Sequence, residues 1–419
     1  MSSYLTITPR DPVIVRDARP FSFGIRMKSL DWPYPSVLAG SLRTLLGKEV
    51  GGDFNQKTVQ DLKAINIAGP LAVYRNTLYF PAPKDLLVEG RHSGEYTHHL
   101  LRPMDLHEGE WCDLPHKSLR LAMMPEDAPG EFKPEKFAQL WSVHTMTEWL
   151  TQPEHVKFVS ISSQEEDEDT SKRVYAVLKP DGSEDRALDS LDLPEKDART
   201  HVWIDPETGR PKVGMLFETM GLDLSLKKLP GQVEFAARVH NTGQFTSLVN
   251  KMDTLHPFGG ERRLSHWKAG ERHMGWICPE KIQHTLSGKQ KVRMVLATPA
   301  IFSGGWIPGW LAEKDEKLTG SPPGAPDGLS LRLVSACVDR WKPLSGWSLE
   351  KGNVGPKPIR RVVPAGSVYF FEINGGMDAA ALAKNCWLVP VSDDPEQNRR
   401  DGFGLALWGS WNNDQENDE

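Results

Sequence analysis

The sequence predicts a mixed α+β protein whose strands and helices follow a ferredoxin-like order in two domains. Three observations predict it. Short apolar runs bounded by turn residues recur along 419 residues that hold 36 Gly and 32 Pro, the mark of many strands and tight connections. The second half orders these runs β-α-β-β-α-β, the ferredoxin-like order, and the first half reads the same way around large insertions. The composition, 39% hydrophobic and 25% charged, is ordinary for a globular chain, and its length suggests two or three domains of roughly 100–200 residues each. The expected division is 1–250, with an insertion at 89–196 and a projecting hairpin at 199–223, then 251–411, then an acidic tail at 412–419.

From the N-terminus, Tyr4–Thr8 and Pro12–Val15 read as short strands broken at Pro9-Arg10-Asp11, and a charged loop, Arg16–Phe21, follows. Val37–Leu46 reads as a helix because Leu38, Leu42, Leu45 and Leu46 share one face. Ser36 is its expected N-cap and Gly47 its expected stop. Asn66–Val73 and Thr77–Pro81 form a hairpin about Arg75-Asn76, and Lys133–Leu150 has helical period. Glu165–Asp169 is a solvated acidic run.

The clearest local signal lies at Arg199–Asp223. There His201–Ile204 and Lys212–Phe217 flank Asp205-Pro-Glu-Thr-Gly209, a turn with Pro second and Gly last. Gln232–Val239 is a strand with Arg238 on its exposed side. Val292–Thr298, Leu329–Asp339, Arg361–Ile373 and Phe403–Leu407 supply the later strands. Helices are expected at the end of Phe302–Leu311 and at Asp378–Asn385, with Glu313–Gly328 as a loop.

Several functions are excluded or disfavoured at once. No stretch approaches the roughly 18 apolar residues that cross a membrane, and Met1–Ile7 lacks a signal-peptide pattern. Four separated cysteines without a CxxC pair read as reduced thiols, so the expected location is cytoplasmic. Gly40 and Gly47-Lys48-Glu49 have the wrong spacing for a phosphate P-loop, and HExxH, GxSxG and GxGxxG are missing. His107, Cys112 and His116 lack the second ligand pair of a zinc site, so no metal and no cofactor are expected. His98, His99 and His201 are single imidazoles that RNA cleavage could use.

Charge is unevenly spread under a net −6. Met1–Lys48 carries +4 and Lys227–Arg293 carries +7, whereas Pro153–Asp197 carries −7. A polyanion site needs a local field of this kind rather than a basic whole. The densest stretch is Pro257-Phe-Gly-Gly-Glu-Arg-Arg-Leu-Ser-His-Trp267: adjacent glycines for close backbone approach, two guanidinium forks, and an aromatic on which a base can stack. Taken alone it reads equally well as a surface turn with a solvated Arg pair. Similar loops recur at Arg16–Arg19, Arg199–Lys212, Gly304-Gly305-Trp306, Lys357–Arg361 and Gly402–Gly409.

The ordered series of these motifs resembles a known family. Asp11–Phe21, Trp32–Arg43, Gly69-Pro-Leu71 with Phe80–Asp85, His201–Asp205 and Gly214–Phe217 are similar to the RAMP subunit that caps the crRNA 5′ end in type III-B (Cmr) CRISPR effectors. The similarity continues through Phe258–Arg263, Thr298–Phe302 with Gly305-Trp306, Gly346-Trp347, Pro364–Tyr369 and Gly402–Gly404, and is weakest over Glu89–Lys196. The resemblance implies two ferredoxin-like (RRM-like) domains and a projecting thumb. It also implies binding of the crRNA 5′ handle and contact with the large polymerase-like subunit and the backbone RAMP subunit. It implies no catalysis, in agreement with the missing acid/base set. The alternatives are a metal-independent RAMP endoribonuclease and a protein-only scaffold.

The expected RNA-binding residues are Arg16, Arg19, Ser36, Gly40 and Arg43; His201, Arg210 and Lys212 on the hairpin; and Gly259, Gly260, Arg262 and Arg263. Trp306, Lys357, Arg360, Arg361, Gly402 and Gly404 complete the set.

Overall fold

A computed structural model describes the chain except residues 1, 18–26, 91–95, 126–131, 136, 162–173, 179–189, 227–229, 349–351, 353, 377, 394 and 413–419. Arg19, the acidic run 165–169 and the tail beyond residue 412 lie outside the described residues. The fold is mixed, rich in strands and with few helices. It divides into two compact units that are interleaved along the chain rather than separated by one cut near residue 250. The first unit comprises 1–70, 193–272 and 342–362, and the second comprises 71–192, 273–341 and 363–419.

The first unit is built on the strand Ser3–Pro9, where Leu5, Ile7 and Pro9 alternate inward as a half-buried strand requires. It pairs antiparallel with Glu234–His240 on one side and Leu264–Gly270 on the other. Asp253–Pro257 extends the second side and the start of Asn66–Tyr74 flanks the first. Behind this sheet lies the helix Pro35–Glu49, which buries Leu38, Leu42, Leu45 and Leu46, each worth about 1.5–3 kcal/mol.

Two details of that helix differ from expectation. The N-cap is Tyr34, with Pro35 at the first helical position, so Ser36 is inside the helix and caps nothing. Gly47 does not stop it; the helix runs on to Glu49, and a Cβ on Gly47 would lie 2.3 Å from the Phe54 ring, so the glycine is there for packing. The next helix, Gln56–Ala64, carries no long apolar run and escapes sequence reading; the Asn55 side chain caps it by accepting from Thr58 N.

In the second unit, Thr77–Pro81, Leu140–Ser142 and Ser190–Leu191 continue antiparallel from Tyr74. The Arg75-Asn76 turn has both residues at positive φ, 46° and 64°, as a two-residue hairpin needs. The expected helix Lys133–Leu150 shrinks to Val143–Thr151, because Leu140–Ser142 is taken up as a strand. A second sheet runs Leu311–Lys314, Lys317–Gly320, Ser330–Cys337, Val368–Asn374, Lys291–Leu296, Ala406–Ser410. No helix follows Phe302–Leu311: the chain turns and enters the hairpin Leu311–Gly320, where a loop was expected. Ala379–Cys386 is helical as expected, capped by Asp378, while the short helix Glu280–Leu286 was not anticipated.

The centre of the second unit holds a charge. Arg293 and Asp85, 1% and 0% exposed at their side chains, form an ion pair at 2.7 Å. Trp149 Nε1 donates to the same carboxylate at 3.1 Å, its backbone carbonyl accepts from Arg293, and the guanidinium sits 5.6 Å from the Trp149 ring centre. Burial pushes the Asp85 carboxyl up and the neighbouring cation opposes the shift. Arg293, the last residue of the basic stretch read from the sequence, is therefore a core residue.

Candidate nucleic-acid interface

Within the first unit, the short segment Val13–Arg16 brings separate stretches of sequence together. Val13 exchanges backbone hydrogen bonds with Leu222 at the foot of the hairpin, 2.9 and 2.8 Å, and Ile14 O accepts from Gly260 N at 2.7 Å. Arg16, exposed and bridged to Ser29, is thus fixed beside both the hairpin foot and the glycine turn.

The turn itself is explained by packing. Phe258 is buried against Phe235 and Trp267, and its N–H donates to Arg263 O at 3.0 Å to close the loop. A Cβ on Gly259, at φ 84°, would lie 2.5 Å from Ile14 O, so this glycine admits the neighbouring strand rather than a ligand. Glu261 and Arg262 follow at φ 55° and 52°, uncommon for side-chain-bearing residues, and Arg262 is thrown into solvent. Arg263 is half-buried, with its Nε lacking a partner. Strain and an unsatisfied donor side by side are typical of functional turns. Trp267, expected as a stacking platform, is fully buried and donates to His256 O at 3.1 Å.

The hairpin pairs from Glu195↔Asp223 to Ile204↔Pro211, with a bulge between Val202 and Ile204. Asp205 Oδ1 accepts from Glu207 N and Thr208 N, and Gly209 turns at φ 65°, which is the chemistry the sequence announced. Most of its side chains are exposed, including Trp203, Leu216 and Val213, the last 99% exposed. His201 stacks on Phe217 at 5.1 Å and 16° and shares a 2.8 Å hydrogen bond with Thr219 Oγ1. Lys212 Nζ lies 4.7 Å from the Trp203 ring centre, while Arg210 extends from the turn into solvent.

A second ribbon belongs to the same unit although it comes from late in the chain. Lys342–Leu344 pairs with Arg360–Val362, and Trp347-Ser348 with Gly355-Pro356, placing Lys357, Arg360 and Arg361 here. Asp31 connects it to the hairpin: one carboxylate oxygen is 2.7 Å from Lys196 Nζ and the other 3.6 Å from Lys342 Nζ. Partial burial raises the Asp31 pKa, but Lys196 and then Lys342 outweigh it and hold it below the usual carboxylate range. The bridge is therefore complete above that range and is lost as pH falls through the lowered pKa.

The remaining expected residues sit differently. Arg43 donates to Leu62 O and Ile65 O at 2.9 and 3.1 Å, tying the helix Pro35–Glu49 to the end of the helix Gln56–Ala64. Gly40 is exposed with open space at its Cβ position. Trp306, Gly402 and Gly404 lie in the second unit. Gly402 and Gly404 are buried; the first accepts from Thr298 Oγ1 through its carbonyl at 2.7 Å, and a Cβ on the second would meet Ser392 Oγ at 2.8 Å. Gly404 thus answers to packing. Arg238, expected to be exposed, is half-buried, and lost hydration pulls its guanidinium below its usual pKa.

The division also sorts the charge. The first unit holds 26 Lys/Arg against 17 Asp/Glu, net +9, and the second 24 against 39, net −15.

The family model described as CRISPR-associated protein (Cas_Cmr3) matches residues 5–411. The chain belongs to this family. It is a RAMP-type Cmr subunit, as the motif series led one to expect. No curated protein matches the chain. Among solved structures, it is similar to a chain of the "Type III-B Cmr-beta bound to cognate target RNA and AMPPnP, state 1", at 12% identity and TM-score 0.44, covering 88% of this chain and 86% of that one. A chain of the "Csm3-Csm4 subcomplex in the type III-A CRISPR-Cas interference complex" matches at 12% identity and TM-score 0.37, covering 88% and 92%. Membership of the family rests on the match over residues 5–411.

For this Cas_Cmr3 member, no group of three His, Cys, Asp or Glu residues is placed to hold a metal among the described residues. His116 Nδ1 lies 2.8 Å from Ser118 Oγ, and His99 Nε2 lies 3.1 Å from Glu89. No described helix is long and apolar enough to cross a membrane.

Proposed function

We propose that the chain is a non-catalytic RNA-binding subunit of a type III-B effector that grips the 5′ handle of crRNA through its first unit. In this reading it bridges the large polymerase-like subunit to the backbone RAMP subunit. The observation that carries the proposal is the gathering of the basic hairpin, the strained Gly259–Arg263 turn, Arg16 and the Lys357–Arg361 ribbon in a unit of net +9. Cations set the affinity of such a surface, and exposed aromatics receive unstacked bases. The acidic second unit suits protein neighbours better than RNA.

The strand order around Ser3–Pro9, with Glu234–His240 and Leu264–Gly270 as its neighbours and a helix after it, supports a ferredoxin-like reading of the first unit. The second sheet has the corresponding order about Lys291–Leu296, with a hairpin where the first helix would stand.

The test is equilibrium binding of the full chain, in EDTA, to crRNA with its 5′ handle intact and with the handle scrambled, followed by analysis of the RNA for cleavage. The expected result is preference for the intact handle and intact RNA. Equal weak binding to both would favour the scaffold. A discrete product lost in His201→Ala would establish the endoribonuclease instead.

A further inference from the structure

Within the stretch that resembles the family least, residues 105–116 form a loop of the second unit that holds an indole in solvent. Trp111 is 85% exposed and makes no hydrogen bond or ring contact among the described residues. The loop around it is anchored at both ends. At its base Arg102–Met104 pairs with Leu121–Met123, Arg120 Nε meets Asp105 at 2.8 Å, and Arg120 N donates to Val334 O at 2.8 Å in the second sheet. On the far side Lys117 pairs with Glu316 of the hairpin Leu311–Gly320, and Leu119 is buried. The turn that leads into the indole is closed twice: Glu110 N donates to His107 O at 3.0 Å, and Glu110 Oε2 accepts from His107 N at 2.9 Å. Gly109, at φ 89°, takes the third place of that turn, where type II geometry needs a positive φ. The backbone thus presents Trp111 to solvent.

The charge around the indole selects its occupant. Residues 105–116 hold four carboxylates, Asp105, Glu108, Glu110 and Asp113, and no Lys or Arg, in a unit of net −15. Asp105 is paired with Arg120 and Glu110 closes the turn, which leaves Glu108 and Asp113 for a partner. Such a field repels phosphate and attracts cationic side chains. A guanidinium or ammonium laid on an indole face, with carboxylates beside it, gains cation–π attraction and ion pairing together. We propose that the 105–116 loop is a protein-docking site whose partner lays an arginine or lysine on Trp111 and turns further cations toward Glu108 and Asp113. This rests on the reading of the chain as an effector subunit, and it assigns a surface and a recognition chemistry that the RNA-binding unit does not contain.

The experiment measures association of the full chain and its variants with two purified probes over a salt series. The probes are the large polymerase-like subunit and the backbone RAMP subunit of the same effector, with crRNA binding measured in parallel. Trp111→Ala is expected to weaken association with one of the two subunits on the order of thirtyfold, the loss of one hot-spot tryptophan. Trp111→Phe is expected to fall between, because a phenyl ring holds a cation less well than an indole. Glu108→Lys with Asp113→Lys leaves the turn intact, and it is expected to weaken the same association most at low salt. None of the three is expected to change crRNA affinity.

If the unaltered chain joins a subunit and all three variants join it equally well, the loop is not the docking site, and the effector reading stands. If the unaltered chain joins neither subunit, the bridging reading falls and the loop inference with it. Weaker crRNA binding by Trp111→Ala, with both associations unchanged, would make the loop an RNA contact and overturn the inference. Loss in Trp111→Ala without any loss on charge reversal would mean an apolar pocket in the partner, which overturns the cationic one. Should Trp111→Ala fail to melt cooperatively, the Glu108→Lys, Asp113→Lys variant carries the test.

Discussion

Arg293 and Arg262 read alike in the sequence, both in one basic stretch, and the structure gives them opposite lives. Arg293 is sealed in the acidic second unit, bonded to Asp85 and Trp149. Arg262 stands in solvent on the basic first unit, at a backbone angle its side chain does not favour. A buried cation is part of the core and cannot be withdrawn from its partner, whereas an exposed one is free to exchange water and counterions for phosphate. The difference teaches that a positive stretch is not a positive surface: the field is assembled by the fold.

Breaking that contrast is most severe at the buried pair. Asp85→Ala should cost about 3–5 kcal/mol of stability by stranding Arg293, read as a shifted urea midpoint, with RNA binding unchanged in protein that remains folded. Gly259→Ala comes next. With φ 84° and Ile14 O at 2.5 Å from the new Cβ, it should cost roughly 1–3 kcal/mol and weaken RNA binding together with stability, because Arg262 and Arg263 move with the turn. On the hairpin, Trp203→Ala should leave melting unchanged but lower RNA affinity by about 1–3 kcal/mol; a variant that melts early and binds normally would assign Trp203 to the fold.

Gly40→Ala sharpens the comparison from the other side. Its Cβ meets nothing within 4 Å, so it should stabilise the helix by about 0.5–1 kcal/mol; weaker RNA binding alongside that gain would mark the helix face as a contact. The smallest effect is chemical. Burial pushes the thiols of Cys278 and Cys386 up to about 12 and that of Cys337 higher, so native alkylation near pH 8 should label Cys112 first.

Local structure with local causes was legible. The Asp205–Gly209 turn, the Arg75-Asn76 hairpin and the leucine face of Pro35–Glu49 depend on residues a few positions apart, and all three stand where the sequence put them. The family was legible too, through an ordered series of motifs. What failed depended on distant partners. Trp267 and Trp347 are both tryptophans beside glycine loops, but one fills the space between Phe258 and His256 and the other faces water. The glycines at 259 and 404 read as ligand loops, yet one makes room for the chain's own backbone and the other for a serine hydroxyl. The ribbon at 342–362 could not be placed with Arg16 until the interleaving of the units was known.

The most direct test of the account compares the salt dependence of crRNA binding for two variants of the full chain. One lacks Arg16, Arg262 and Arg263 in the first unit, and the other lacks Lys314 and Lys317, exposed in the second. RNA held by the first unit requires a log–log slope flatter by about 2 for the first, three phosphate contacts on a single strand, and an unchanged slope for the second. Equal slopes for both variants, or flattening only in the second, would contradict the claim that the first unit carries the RNA.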